Sequence, residues 1–137
     1  QSHSNAVSKF DVQRRITATE RYAPTADLLT NHKSGVQLGR NPQSAVQDAD
    51  LVVTDVWASM GQEEDQNQRI TSFTGYQVKE ELMSLAQSDA LFVHCLPAHR
   101  GEEVSASVLD AADSVVWDEA ENRMHSQKAL IEFLLTP

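Results

Sequence analysis

The sequence has few of the residues that mark specialised classes of protein. Cys95 is the only cysteine among 137 residues, so no disulfide forms within the chain and the disulfide-stapled secreted class is excluded. Five glycines and four prolines are too few for a collagen-like or low-complexity chain. No apolar run approaches the ~20 residues of a membrane-spanning helix, which predicts a chain that does not cross a bilayer.

Positive charge and the short motifs of several enzyme classes are also scarce. The chain has 11 basic and 20 acidic residues, a net charge of −9, which argues against binding to the phosphate backbone of a nucleic acid. It has no glycine-rich dinucleotide or nucleotide fingerprint and no GxSxG nucleophile turn. CxxC and HExxH spacings are absent, so we expect neither a metal site nor a cofactor. The chain starts at Gln1 without a signal segment, which predicts a part of a longer protein.

What the sequence does contain is a strand–helix alternation. Three continuous apolar runs, Leu51–Val53, Ala90–Val93 and Ser114–Trp117, are typical of buried parallel strands, and Val12–Thr17 and Val36–Leu38 are weaker strand candidates. Predicted helices lie around them: Thr25–His32, Pro42–Ala49 with Asn41 as cap, Ser59–Ile70, Val78–Ala86 and Glu121–Leu135. The pattern predicts one α/β domain over residues 1–137, a doubly wound, mostly parallel, Rossmann-like sheet with helices on both faces.

Polar side chains follow each of the three apolar runs. Ligands of open α/β sheets bind beyond the carboxyl ends of the strands, so Asp55, Cys95 and Arg123 are predicted to converge at one edge. Asp55 could bind an ammonium group or accept a proton, although an aspartate at such a position more often stabilises a turn. Backbone N–H groups of Ser59 and Met60, at a helix start, suit a carboxylate, although Ser59 can equally serve as the cap.

Cys95 and the two arginines have alternatives that the residues alone leave open. Cys95 beside His94 suits a nucleophile or base, but a cysteine at a strand end is more often a small buried apolar residue. Arg100 and Arg123 suit an anion, or they pair with Glu102, Glu103, Glu119 or Glu121.

Together the motifs at the three strand ends resemble the second, ornithine-binding domain of ornithine carbamoyltransferases. The resemblance covers about residues 48–130 and rests on DVWASMG (55–61), GYQV (75–78), HCLPAHRG (94–101) and DEAENRMH (118–125). It implies transfer of a carbamoyl group from carbamoyl phosphate to the δ-amino group of L-ornithine, giving citrulline and phosphate.

The resemblance also implies roles for single residues. Asp55, Ser59 and Met60 hold the amino-acid end of ornithine, and Cys95 is the expected proton acceptor near the reacting amine. Cys95 and Leu96 border the carbamoyl group, and Arg123 reaches carbamoyl phosphate. The catalytic set is then Cys95, Asp55 and Arg123.

The family resemblance further implies what this chain does not contain. The carbamoyl-phosphate-binding domain is expected to lie outside it, the sheet could lack its first strand, and the chain alone is expected to be inactive. A full-length relative is expected to be a cytoplasmic homotrimer of arginine biosynthesis. Two other readings remain: a non-catalytic amino-acid-binding or interaction module of the same fold, and a hydrolase with an activated Cys95.

Overall fold

The computed structural model describes residue 10 and residues 12–25, 35–58 and 63–136. Four short strands are present: β1 (Arg14–Thr17), β2 (Val36–Gly39), β3 (Leu51–Thr54) and β4 (Leu91–His94). A 3₁₀ turn at Glu20–Tyr22 follows β1. The α-helices are α1 (Pro42–Val46), α2 (Glu63–Ser72), α3 (Glu80–Met83), α4 (Ala106–Leu109) and α5 (Val116–Leu135).

All strand pairing among the described residues is parallel. β1 pairs with β2 and β3 pairs with β4, as two two-stranded sheets. Parallel neighbours need a crossover, and α2 and α3 supply it between β3 and β4. The α/β, Rossmann-like class expected from the strand–helix alternation is confirmed.

The third apolar run does not form the predicted strand. Ser114 makes a single parallel bridge to Phe92, and helix α5 begins two residues later at Val116. Asp118 and Glu119 lie in the first turn of α5, where the helix dipole favours acidic side chains. The strand predicted over Ser114–Trp117 is therefore wrong, and the predicted helix at Glu121 starts five residues earlier.

Two local signals elsewhere are confirmed where the structure describes them. The Asn41 side chain accepts a hydrogen bond from the Gln43 backbone N–H at 2.9 Å, so it caps α1 as predicted. The helix predicted from Ser59 is present from Glu63 onward, and 59–62 lie outside the described residues. Of the helix predicted over Thr25–His32, residues 26–32 lie outside the described residues.

One apolar cluster joins β3 and β4 to the helices. Val52 and Phe92 point inward from the paired strands, and Phe92 is only 1% exposed. The opposite side of the strands is more open, since Leu51, Val53 and Leu91 are exposed. The remaining buried members are Val46, Val78, Val104, Val108, Leu109 and Val116.

Helix α5 differs from the other helices in its exposure. Val116 is its buried residue, and the apolar side chains beyond it reach the surface. None of the helices in the described ranges combines the length and apolar character that a membrane span needs.

Candidate active site at the ends of two strands

The parallel register of β3 and β4 brings Asp55 and Cys95 side by side. Thr54 is the register partner of His94, so Asp55 and Cys95 are the first residues after the two strands. The Cys95 thiol donates a hydrogen bond to Asp55 Oδ1 at 3.2 Å. The Val56 backbone N–H donates to the same oxygen at 2.8 Å. The predicted meeting of these two side chains is therefore confirmed.

The surroundings of Cys95 keep its sulfur protonated. Desolvation of the thiol, then the hydrogen bond and negative charge of Asp55, and then the charge of Glu119 raise the pKa of Cys95 to about 11. At neutral pH the free chain therefore carries a thiol at this position, and Asp55 is the acceptor of the pair. Carboxylates from a strand end and from helix α5 act on the same sulfur.

Among the residues that the structure describes, Arg123 is not bonded to the Asp55–Cys95 pair. It is an exposed residue of α5, four residues beyond Glu119 and so on the same face of the helix. No hydrogen bond or ion pair joins it to Asp55 or Cys95 within the described part of the chain. The predicted convergence is confirmed for Asp55 and Cys95 and stays a prediction for Arg123, which is one helical turn away from Glu119.

The other predicted substrate-binding residues divide into two groups. Ser59 and Met60 lie outside the described residues. Leu96 is half-buried directly after Cys95, with a backbone φ of 49° and a cis peptide bond to Pro97.

A cleft of about 490 Å³ opens beside Asp55. Its aromatic wall is built on Phe73, whose ring stacks on Tyr22 at 5.2 Å and on Trp57 at 5.6 Å between centroids. The Arg69 guanidinium lies 5.0 Å from the centre of the Tyr22 ring and donates to the Trp57 carbonyl at 3.0 Å. The cleft thus has an anion, Asp55, a cation, Arg69, and an apolar wall.

A buried pair beneath the site was not foreseen from the sequence. The side chains of His94 and Glu103 are 0% exposed, and His94 Nε2 lies 3.2 Å from Glu103 Oε1. The available signal was strand periodicity: His94 is two residues from Phe92 and so points to the same buried face. Glu103 had no comparable signal, because it is one of two adjacent glutamates, a pattern typical of a solvent-exposed surface.

Arg100 has a different partner from the glutamates considered for it. It donates two hydrogen bonds to Asp110, from Nη2 at 2.7 Å and from Nε at 3.2 Å. This bidentate pair occupies the guanidinium, so Arg100 makes its anion contact within the chain.

One group of side chains in the described ranges has the composition of a metal site. Three potential ligand atoms lie within 4.8 Å of one another, one each from His99, Glu102 and Glu103. His99 Nδ1 lies 3.5 Å from Glu102 Oε2, and the two groups form an ion pair when His99 is protonated. The expectation that the chain has no metal site stays a prediction.

Comparison with known proteins identifies the family. The family model described as "Aspartate/ornithine carbamoyltransferase, Asp/Orn binding domain" matches residues 1–134. The ornithine carbamoyltransferase of Hydrogenovibrio crunogenus is 55% identical over 134 residues, which are 98% of this chain and 44% of that protein. The enzyme of Methylococcus capsulatus is 57% identical over 136 residues, 99% of this chain and 46% of that protein.

Solved structures agree with the sequence relatives. The Pyrococcus furiosus ornithine carbamoyltransferase superposes with a TM-score of 0.86 at 41% identity, covering 96% of this chain and 44% of that one. The Burkholderia thailandensis enzyme superposes with a TM-score of 0.84 at 47% identity, covering 96% and 42%. The chain thus spans less than half the length of these relatives. It belongs to the aspartate/ornithine carbamoyltransferase family, through the Asp/Orn binding domain.

Proposed function

We propose that residues 1–137 form the ornithine-binding domain of an ornithine carbamoyltransferase. The enzyme transfers the carbamoyl group of carbamoyl phosphate to the δ-amino group of L-ornithine, and citrulline and phosphate are the products. The hydrogen bond from Cys95 Sγ to Asp55 Oδ1 is the observation that carries the proposal. It supports the proposal because Asp55, assigned to the amino-acid end of ornithine, and Cys95, assigned to the reacting amine, stand 40 residues apart in sequence and meet in space.

Local charge supports a cationic acceptor over aspartate. Asp55 and Glu119 both act on the Cys95 sulfur, so the space in front of the thiol is electronegative. An ammonium group is attracted there, whereas the side-chain carboxylate of aspartate is repelled. Ornithine has the required cationic side chain, and its α-carboxylate is proposed to bind the backbone at Ser59 and Met60.

Asp55 binds an ammonium group of ornithine, and Cys95 accepts the proton of the reacting amine. Attack on the carbamoyl carbon requires a neutral amine, and an alkyl ammonium ordinarily loses its proton near pH 10.4, the Lys value. Binding of the α-ammonium of ornithine against Asp55 offsets part of the negative charge that raises the pKa of Cys95. In that complex the thiol loses its proton to solvent more readily, and the resulting thiolate accepts the proton that leaves the δ-amine.

The remaining roles concern carbamoyl phosphate. The Cys95–Leu96 segment borders the carbamoyl group, with the Leu96 carbonyl as an acceptor for its amide. Arg123 shares a helix face with Glu119 and reaches the phosphate, where a fixed cation stabilises developing negative charge. Cys95, Asp55 and Arg123 are the proposed catalytic residues.

The rest of the enzyme supplies the other substrate. We place carbamoyl-phosphate binding in a domain outside these 137 residues, and the exposed apolar side of α5 supports such a contact. The assembled enzyme is proposed to be a cytoplasmic homotrimer of arginine biosynthesis, which rests on the family resemblance alone.

A chimera tests the proposal directly. This chain replaces the matching 134 residues of the Hydrogenovibrio crunogenus relative, and product formation from carbamoyl phosphate is measured with ornithine, putrescine or aspartate as acceptor. We expect citrulline from ornithine only, and Asp55→Asn should lower kcat/KM by on the order of 100-fold because the ammonium loses its carboxylate. Asp89→Asn, an exposed aspartate away from the site, is the matched control.

Two results would contradict the proposed function. Carbamoyl-aspartate as the main product would assign the chain to the other branch of its family. A folded chimera that binds no ornithine would favour the non-catalytic module.

A further inference from the structure

The buried His94–Glu103 pair has no part in the chemistry proposed above. Both side chains are fully buried, and the two groups are joined by a 3.2 Å contact. Burying a carboxylate and an imidazole is costly, and an apolar pair of similar size fills the same space more cheaply. Packing alone therefore does not account for these two residue types.

The hydrogen bonds of His94 assign its tautomer. The Leu96 backbone N–H donates to His94 Nδ1 at 3.0 Å, so Nδ1 is the acceptor and carries no proton. The proton of the neutral ring is then on Nε2, which donates to Glu103 Oε1. The imidazole links a buried carboxylate to the backbone one residue beyond Cys95.

Glu103 also holds the far end of the same segment. The His99 backbone N–H donates to Glu103 Oε1, the oxygen that accepts from His94. One carboxylate oxygen thus ties together both ends of 94–99. The second oxygen, Oε2, is buried and has no hydrogen-bond partner among the described residues.

The segment needs such support because its backbone is strained. Leu96 has a φ of 49°, in the left-handed region that a residue with a branched side chain seldom occupies. Cys95 immediately precedes it and directs its sulfur to Asp55. Relaxation at Leu96 would turn the thiol away from that carboxylate.

We propose that His94 and Glu103 are positioning residues: the Glu103 carboxylate fixes the His94 ring, and the ring holds the Leu96 N–H so that the Cys95 thiol faces Asp55. The importance of this arrangement for catalysis rests on the proposed function. The arrangement itself concerns only the chain's own atoms, so it is testable without either substrate.

Two substitutions separate the two sides of the imidazole. In His94→Asn the amide oxygen replaces Nδ1 and still accepts from Leu96, but it does not reach Glu103. In His94→Gln the amide nitrogen replaces Nε2 and reaches Glu103, but nothing replaces the acceptor at Leu96. His125→Gln, in the exposed His125–Glu121 pair, is the matched control.

The readout is the iodoacetamide reaction of Cys95, the sole cysteine of the purified 137-residue chain, as a function of pH. Asp55 and Glu119 are the charged groups that act on this thiol. In His94→Gln the thiol leaves Asp55 and its pKa falls toward the ordinary value. The rate at pH 8 should then rise about tenfold, because the gain in thiolate outweighs the lower nucleophilicity of each thiolate. His125→Gln should react like the unmodified chain, and Asp55→Asn should react like His94→Gln. His94→Asn should react at an intermediate rate, because it keeps the acceptor at Leu96 but loses the support of Glu103.

Equal rates for His94→Asn and His94→Gln would overturn the proposal. Because either variant could fail to fold, nitrogen NMR of the unmodified chain gives an independent answer. We expect a His94 ring protonated on Nε2 alone and a Leu96 amide protected from hydrogen exchange. A proton on Nδ1, or a freely exchanging Leu96 amide, also overturns the proposal. An inactive chimera alongside the expected thiol and NMR results would count against the proposed function and leave the positioning role intact.

Discussion

Side chains at the ends of β3 and β4 contact other residues of the chain, whereas most side chains of helix α5 are exposed. Around the strand ends, Cys95 bonds to Asp55 and the His94–Glu103 pair is 0% exposed. Along α5, apolar side chains face the surface, and Phe133 and Leu135 are each 78% exposed. One region holds its reactive groups with contacts from within the chain, whereas the other presents an apolar surface.

This difference separates the part of the candidate site that paired strands hold in place from Arg123, which lies on a largely exposed helix. Asp55 and Cys95 need only the register of two strands and the buried pair below them. Arg123 depends on the position of α5, whose outer half contributes no residue to the core cluster. The same type of substitution should therefore have very different effects in the two regions.

The largest contrast is expected between two phenylalanines. Phe92→Ala empties a fully packed position at the centre of the core and should lower the free energy of unfolding by about 3–5 kcal/mol. Phe133→Ala removes a ring that is 78% exposed and should change it by less than about 0.5 kcal/mol. Urea unfolding at two protein concentrations measures both values, and an equal loss at Phe133 would mean that α5 packs in solution.

A smaller contrast is expected between two histidine–glutamate pairs of similar length. Glu103→Leu leaves the buried ring N–H of His94 and the part-buried backbone N–H of His99 without their acceptor, and should cost about 3 kcal/mol. Glu121→Leu breaks an exposed 3.3 Å contact with His125 and should leave the unfolding midpoint unchanged. The double variant His94→Leu with Glu103→Leu should recover part of the loss; no recovery would speak against an unpaired buried donor as the cause.

The smallest effect is spectroscopic and uses the two tryptophans. Trp57 is half-buried against Phe73, whereas Trp117 is 60% exposed at the start of α5. Trp117→Phe should leave an emission that acrylamide quenches weakly, and Trp57→Phe should leave one that it quenches strongly. Indistinguishable quenching would show that the aromatic wall of the cleft is open in solution.

Prediction from the sequence succeeded where the determining interactions are local. Asn41 caps α1 through a bond to a residue two positions away, and the strand positions follow from short apolar runs. The strand prediction failed at Ser114–Trp117. There the apolar run overlaps the start of a helix, and the acidic residues that follow favour the helix. The Glu103 contact was also missed, because a buried acid and a solvated acid look alike in a sequence.

The sequence by itself determined the strand–helix alternation, the family motifs and the residue types at the strand ends, because these depend on side-chain chemistry and neighbours a few residues away. Only the tertiary structure decided that Asp55 accepts from Cys95, that His94 is buried against Glu103, and that α5 leaves its apolar side exposed. The physical reason is that these contacts join distant segments, and their geometry depends on register, burial and desolvation, which exist only once the strands have paired.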